Sequence, residues 1–203
     1  MTILKDITEL EEIYGRPGAA SLVKVATLIT PEYRAWIASS NFCALATVGP
    51  EGVDASPRGD MGEVVFELDE CTLAMPDRRG NNRMDSLRNI VRDGRVALML
   101  LTKGSDTVTR VNGRAEISVA ADLLGRFAVK GKPPRSVIVI HIEEIYFQCA
   151  RAVMRAGLWD VENWPDISAL PSAGQILQAQ KAENFDGDAY DKEWPERAVK
   201  SLW

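Results

Sequence analysis

The sequence predicts a mainly β fold with helices: an antiparallel barrel of about six strands, with one helix inserted between strands and helices at both ends. Three observations predict it. Alternating or continuous apolar runs of strand length recur from residue 41 to 147. Most are joined by short turns, and sequential hairpins favour antiparallel pairing and closure over a doubly wound parallel sheet. Helical periodicity is confined to the two ends and two short internal stretches.

The elements follow in order. Ile7, Leu10, Ile13 and Tyr14 recur at helical spacing, and GRPG (15–18) stops that helix. A second helix is expected over 19–28. Thr30–Pro31 reads as an N-cap with proline at the first helical position, opening a helix over 32–38. FCALATV (42–48), the turn GPEG and VDAS (53–56) read as a strand pair. EVVFEL (63–68) and CTLAMP (71–76) read as another. Residues 80–93 switch to helical period, with Met84, Leu87, Ile90 and Val91 on one face. RVALMLLT (95–102) is apolar on both faces, which marks a central strand. TVTRVNGRAEIS (107–118) is a long alternating strand, 120–129 a short helix, GKPP (131–134) a linker, and SVIVIHIEEIYF (136–147) the last strand. Beyond Gly157 the chain becomes irregular and carries Trp164, Trp194 and Trp203, with helices expected near 173–182 and 188–202. Three units result: a helical extension over 1–40, a barrel over 41–160, and a C-terminal helical segment over 161–203 packing on the barrel or on a dimer partner.

Composition narrows the function. The 203 residues are 46% hydrophobic and 26% charged, ordinary values for a globular protein long enough to bury a core. A formal net charge of −5 argues against a general nucleic-acid binder, which needs a basic footprint. The three cysteines, Cys43, Cys71 and Cys149, show neither a disulfide framework nor metal-ligand spacing, so no metal is expected and reducing cytoplasm is the natural compartment. The N-terminus lacks the apolar run of a signal peptide, and the longest such run, 96–101, is too short to span a bilayer. No GxGxxG, Walker-type loop, HExxH or GxSxG occurs, which sets aside Rossmann, P-loop, zincin and serine-hydrolase readings.

Four segments could carry chemistry. PDRRGNNRMDSLRN (76–89) runs from a strand end through a glycine into a helix start, where free N–H groups and the helix dipole suit an anion. Asn81 or Asn82 is the expected N-cap, with Arg78, Arg79 and Arg83 around it and Ser86 in the first turn. Six arginines and three aspartates lie between residues 77 and 95, a positive balance inside an acidic protein. Arginine is suited to bidentate phosphate contacts, although a solvated basic helix face has the same composition. In DASPRGD (54–60), Ser56 and Arg58 share one face of a strand end, which could add to an anion site or simply lead into a turn. In TRVNGRAEI (109–117), Arg110 and Asn112 face one way, and Gly113 suggests a bulge or a close backbone approach. In CARAVMRAGLWD (149–160), Trp159 with Arg151 or Arg155 could stack on a flat ring, or be packing plus surface charge. His141, the only histidine, reads as a satisfied core or interface residue.

ATVGPEGVDASPRGD, TLAMPDRRGNNRMDSLRNI, RVALMLL and TRVNGRAEI, in this order and spacing, resemble the pyridoxamine 5′-phosphate oxidase-like FMN-binding proteins, specifically a bacterial subgroup with an N-terminal helical extension. The likeness runs from about Tyr14 to Trp159, and PDRxGNNRxDSLxN is its most specific part. It implies a six-stranded split barrel, a homodimer, and two FMN sites at the dimer interface. It also implies roles for individual residues. Arg83 stands where the family has a basic residue on the FMN phosphate, with Arg78, Asn81, Asn82 and Ser86 in the same segment. Ser56 and Arg58 lie on the strand along the phosphate and ribityl chain. Met75 and Pro76 border the isoalloxazine. Arg110 and Asn112 match a strand that reaches the cofactor, and Trp159 with Arg151 or Arg155 a segment that reaches the flavin of the other subunit.

The chain departs from the true oxidases at its end. ERAVKSLW (196–203) has no counterpart to their basic, leucine- and proline-bearing substrate motif, so the vitamin B6 substrate does not carry over. The resemblance implies an FMN-dependent oxidoreductase acting on a small molecule, with no side chain assigned as catalytic. Arg58 or an arginine of the 151–155 pair would stabilise reduced flavin. The alternatives are a flavin-binding carrier or redox sensor without turnover, and a barrel that holds haem or a deazaflavin.

Overall fold

The computed structural model describes residues 3–180 and 185–202. The last two residues of the helix expected over 173–182, and Trp203, lie outside the described residues.

Three helices come first: α1 (Ile7–Tyr14), α2 (Ala19–Val23) and α3 (Pro31–Ala38). As expected, Thr30 caps α3, its Oγ1 accepting the Tyr33 N–H at 3.4 Å, with Pro31 in the first turn. Helix α2 is shorter than the predicted 19–28. Ala26 exchanges two backbone hydrogen bonds with Ile145, of 2.9 and 2.8 Å, and this pairing draws the chain out of helix.

The strands are β1 (Phe42–Gly49), β2 (Gly52–Gly59), β3 (Phe66–Asp69), β4 (Thr72–Pro76), β5 (Arg95–Leu101), β6 (Val108–Ser118) and β7 (Val137–Gln148). Seven strands form where about six were expected. The run 63–68 contributes a short piece, because Val64 and Val65 are buried in the core and only Phe66 onward pairs with β4. The sheet order is β2-β1-β5-β6-β7-β4-β3, with every neighbouring pair antiparallel.

The end strands β2 and β3 do not pair, so the sheet is open rather than the expected closed barrel. It coils strongly all the same. Leu45 of β1 and Leu73 and Met75 of β4, distant in the strand order, share one buried apolar cluster with Leu98, Val111 and Ile140. Each such side chain contributes about 1.5–3 kcal/mol by its burial. Helix α4 (Asp85–Arg92) adds Ile90 to the same cluster and packs on β1, β2 and β6.

The two-faced apolar strand β5 has a structural explanation. Val96, Leu98 and Leu100 point into the core. Ala97, Met99 and Leu101 face outward, in register with Ala46, Ala44 and Phe42 of β1. Those in turn pair with Ala55, Pro57 and Gly59 of β2. The result is a flat stripe of small and apolar side chains on which Met99 is 45% and Phe42 42% exposed. Between β6 and β7 the register shifts at Asn112/Gly113, the bulge that Gly113 suggested. A Cβ at Gly113 would fall 2.1 Å from the His141 carbonyl oxygen. His141 itself sits on an exposed face of β7, not in the core.

The remaining helices are α5 (Ala121–Arg126), α6 (Arg151–Ala156), α7 (Ala173–Gln180) and α8 (Gly187–Lys200), with a 3-10 turn at Val161–Asn163. Helices α7 and α8 form a tight hairpin. Asp191 accepts the Gly174 N–H at 2.8 Å and the Ser172 hydroxyl, and a Cβ at Gly174 would meet the Gly187 carbonyl at 2.1 Å. Among the described residues, no helix is long and apolar enough to cross a membrane.

Candidate functional site

A cleft of about 970 Å³ lies where the sheet stays open, between β2, the end of β4, the loop 77–84 and the start of α4. Alternation along β2 builds its first wall. Asp54, Ser56 and Arg58 are in register with the buried Thr47, Leu45 and Cys43, so they share the inner side. Met75 and Pro76, both buried, end β4 at the cleft.

The loop leading to α4 departs from the expected capping. Asn82 and Met84 both take left-handed backbone, with φ of 62° and 61°. These residues delay the helix until Asp85. Neither asparagine is therefore the N-cap. That position falls to Met84, which makes no side-chain cap bond, and Asn81 Oδ1 accepts the Arg83 N–H at 3.1 Å inside the loop. The first N–H groups of α4 are thus left without a side-chain acceptor. The helix is anchored by its buried polar face. Asn89 Nδ2 donates to Thr47 Oγ1 at 3.1 Å, and Gly49 makes room for it, since a Cβ there would lie 2.2 Å from Asn89 Oδ1.

Two hydrogen-bonded clusters furnish the cleft. In the first, Ser86 Oγ donates to Asp54 Oδ2 at 2.5 Å and so accepts from the Ser56 hydroxyl at 2.9 Å. Arg58 Nε donates to Ser56 Oγ at 3.2 Å and its Nη1 to Asp77 Oδ1 at 2.6 Å. Burial pushes the thiol of Cys43, behind this cluster, up to about 12 against the opposing pull of Arg58. In the second cluster, Arg135 Nη1 donates to Asn82 Oδ1 at 2.8 Å, and Arg83 Nε donates to Asp85 at 2.7 Å with its side chain 75% exposed. Arg78 is held by Asp60 at 2.8 Å and by the Phe127 carbonyl at 2.7 Å. Arg79 makes no ion pair among the described residues. Five arginines and four aspartates line the cleft, so its positive character is local rather than uniform.

Nine residues singled out from sequence meet here: Ser56, Arg58, Met75, Pro76, Arg78, Asn81, Asn82, Arg83 and Ser86. Four do not line the cleft of their own chain. Arg110 lies over the Tyr146 ring at 5.2 Å, and Asn112 donates to Glu144 at 3.0 Å. Trp159 Nε1 donates to the Ser105 carbonyl at 2.8 Å, and Arg151 is exposed on α6.

Sequence reasoning missed Asp54, Asp60, Asp77 and Arg135. The first two were within reach, because they alternate with Ser56 and Arg58 in DASPRGD. Arg135 carried no local signal, since it meets Asn82 across 53 residues of chain. Among the described residues, no group of three or more His, Cys, Asp or Glu side chains is placed to hold a metal ion.

The family profile described as pyridoxamine 5′-phosphate oxidase matches residues 29–149. No curated protein matches the chain. Several solved structures do. HupZ from Group A Streptococcus is 20% identical over 59% of this chain and 93% of its own, with a TM-score of 0.48. A candidate pyridoxamine 5′-phosphate oxidase from Lactobacillus delbrueckii is 26% identical over 60% of this chain and 95% of its own, with a TM-score of 0.48. An FMN-binding protein from Syntrophomonas wolfei is 20% identical over 70% of this chain and 94% of its own, with a TM-score of 0.44. The profile covers more than half of the chain and takes in β1 to β7, the loop 77–84 and α4, so the protein belongs to the pyridoxamine 5′-phosphate oxidase family.

Proposed function

We propose that the cleft holds FMN and that the protein is an FMN-dependent oxidoreductase acting on a small molecule. The observation that carries this reading is the convergence on one cleft of two chemically different clusters that match the two polar parts of the cofactor. Carboxylates and hydroxyls suit a sugar alcohol: Asp54, Asp77, Ser56 and Ser86 can accept from the ribityl chain. Arginines beside a helix start suit a phosphate: Arg83, Arg135 and Arg79 line the same cleft as the uncapped start of α4. The cleft volume of about 970 Å³ is at the upper end of the range for cofactor sites, about 300–1,000 Å³. When bound, the isoalloxazine supplies the redox chemistry. The chain's own contribution is grip and field. Arg83, mostly exposed, can turn from Asp85 to the phosphate, while Met75 and Pro76 offer the ring a buried wall. The single histidine lies on β7 and does not line this cleft, which leaves a histidine-ligated haem without its ligand here.

The same reading assigns a second copy of the chain to the outer stripe of β1, β2 and β5. Arg110, Asn112, Arg151 and Trp159 would then serve the partner's cofactor rather than their own chain's.

The test is direct. The purified protein should show the twin visible and near-ultraviolet bands of oxidised flavin, and Arg83→Ala should weaken FMN binding roughly ten- to a hundred-fold, the value of one charge-assisted hydrogen bond. FMN affinity unchanged in a fluorescence titration would remove Arg83 from the phosphate site. Flavin that stays oxidised under both NADH and NADPH in stopped flow would count against nicotinamide-driven reduction.

A further inference from the structure

Helix α1 is well formed, yet none of its residues is buried. Asp6 caps it, accepting the Thr8 N–H at 2.6 Å, and Gly15 ends it with a φ of 69°. Ile7, Leu10, Ile13 and Tyr14 make one apolar face, and all four are exposed, from 44% for Leu10 to 78% for Tyr14. A helix alone in water needs about 12–15 residues to hold its shape, and this one has eight. Its charge has one sign. Asp6, Glu9, Glu11 and Glu12 stand within 6–14, with no basic residue among them. Helical spacing puts Glu9 and Glu11 at the borders of the apolar face and Glu12 behind it.

A groove of matching chemistry, of about 1070 Å³, opens between the sheet and helix α8. Phe42, Met61, Trp194 and Leu202 give it exposed apolar surface. Arg79, Lys103 and Arg197 give it cations, and the carboxylate in its lining, Asp60, is already bound to Arg78. The Arg197 guanidinium lies over the Tyr190 and Trp194 rings at 4.6 and 5.4 Å, a contact that leaves its N–H groups unspent. Its carboxylate neighbour Glu193 is 4.0 Å away, too far for a hydrogen bond. Neither Arg79 nor Lys103 has an ion pair among the described residues. Glu193 and Glu196 line a separate gap beside Arg79 and Arg197, not this groove. Size agrees as well: eight residues of helix make a cylinder about 12 Å long and about 10 Å wide, or about 900 Å³.

Phe42 and Gly59 belong both to the groove and to the outer stripe of β1, β2 and β5. A second copy seated on that stripe therefore reaches the mouth of the groove. We propose that the groove receives helix α1 of the second copy, once in each direction across the dimer. The apolar face of the helix lies against Phe42 and Trp194, and Glu9 and Glu11 meet the three cations. The groove's own chain holds its arm elsewhere, because Ala26 is tied to Ile145 of β7, and β6 and β5 lie between β7 and the strand of Phe42. Asp60, Arg78, Arg79 and Asn81 line the groove and the candidate cofactor cleft alike, so the partner's helix backs the wall of that cleft. The inference rests on the second copy proposed for the stripe.

The test is a cross-link between chains. Leu10→Cys chains and Met61→Cys chains, each also Cys71→Ser and Cys149→Ser, are coexpressed with different tags and treated with a short bis-maleimide. A covalent pair carrying both tags is expected. A chain bearing both cysteines that links only within itself would overturn the proposal, since the groove would then hold its own helix. In sedimentation, Leu10→Glu should weaken the dimer at least tenfold, the loss of one buried leucine. Glu11→Lys should weaken it severalfold, more so at low salt, while Glu12→Lys leaves it unchanged. Equal effects of the two glutamate reversals, or none from Leu10→Glu, would also overturn it. If the parent is a dimer that Met99→Glu breaks and no cross-link forms, the arm inference fails alone. A monomeric parent refutes the stripe and the arm together.

Discussion

Ser86 is buried and stands between two oxygens, giving its proton to Asp54 and taking one from Ser56. Replacing it by alanine removes both bonds and leaves two polar groups short in a part-buried place. Ser86→Ala should therefore cost about 1–3 kcal/mol in urea unfolding, and it should weaken FMN binding through the misplaced Ser56. Cys43 offers a second check at this scale. Its thiol, at about 12 and fully buried, should resist iodoacetamide at pH 8 in the folded protein, while the exposed Cys149 reacts; peptide mass spectrometry separates the two. Much of the candidate site was legible at this scale: strand alternation put Ser56 and Arg58 on one face and the helix start singled out Arg83, both local rules, while the resemblance alone joined these segments, with Ser86, into one site. Asp54 and Asp60 were legible in principle from the same alternation. Arg135 was not, because nothing near it in sequence encodes the distant loop it supports.

At the scale of elements, the bulge at Gly113 shows how one missing side chain sets a register. The β7 carbonyl of His141 occupies the space a Cβ would need, so Gly113→Ala must push β6 and β7 apart. An overpacking cost of about 1–3 kcal/mol is expected, visible as a lower Tm of the whole protein. Gly174→Ala makes an equally close contact, but inside the α7–α8 hairpin. It should leave the unfolding transition of the sheet in place and speed limited proteolysis within the hairpin. The strands were readable from alternation, and Gly113 announced the bulge. The short α2 and the late start of α4 were not, since a tertiary bridge from Ala26 to Ile145 and two left-handed residues overrode helical periodicity. The short α6 was missed because its apolar spacing covers fewer than two turns.

At the scale of the whole molecule, the second copy proposed on the outer stripe of β1, β2 and β5 can be tested through assembly. A glutamate at Met99 would place a charge in its middle, so Met99→Glu should convert a dimer to monomers in sedimentation and weaken FMN binding with it. A parent protein that sediments as a monomer would refute the claim. Strand β2 ends the sheet, and among the described residues its outer edge has no partner strand. An eight-residue edge of this kind is a template on which another copy could add a strand, then another, into a fibre. Pro57 stands near the middle of β2 without an N–H to offer, and Asp54 and Arg58 put charge along the same strand. The segment that furnishes the cleft should thereby also hinder polymerisation of the concentrated protein. Pro57→Val, harmless to β1 pairing, should be seen first as thioflavin-positive turbidity on storage.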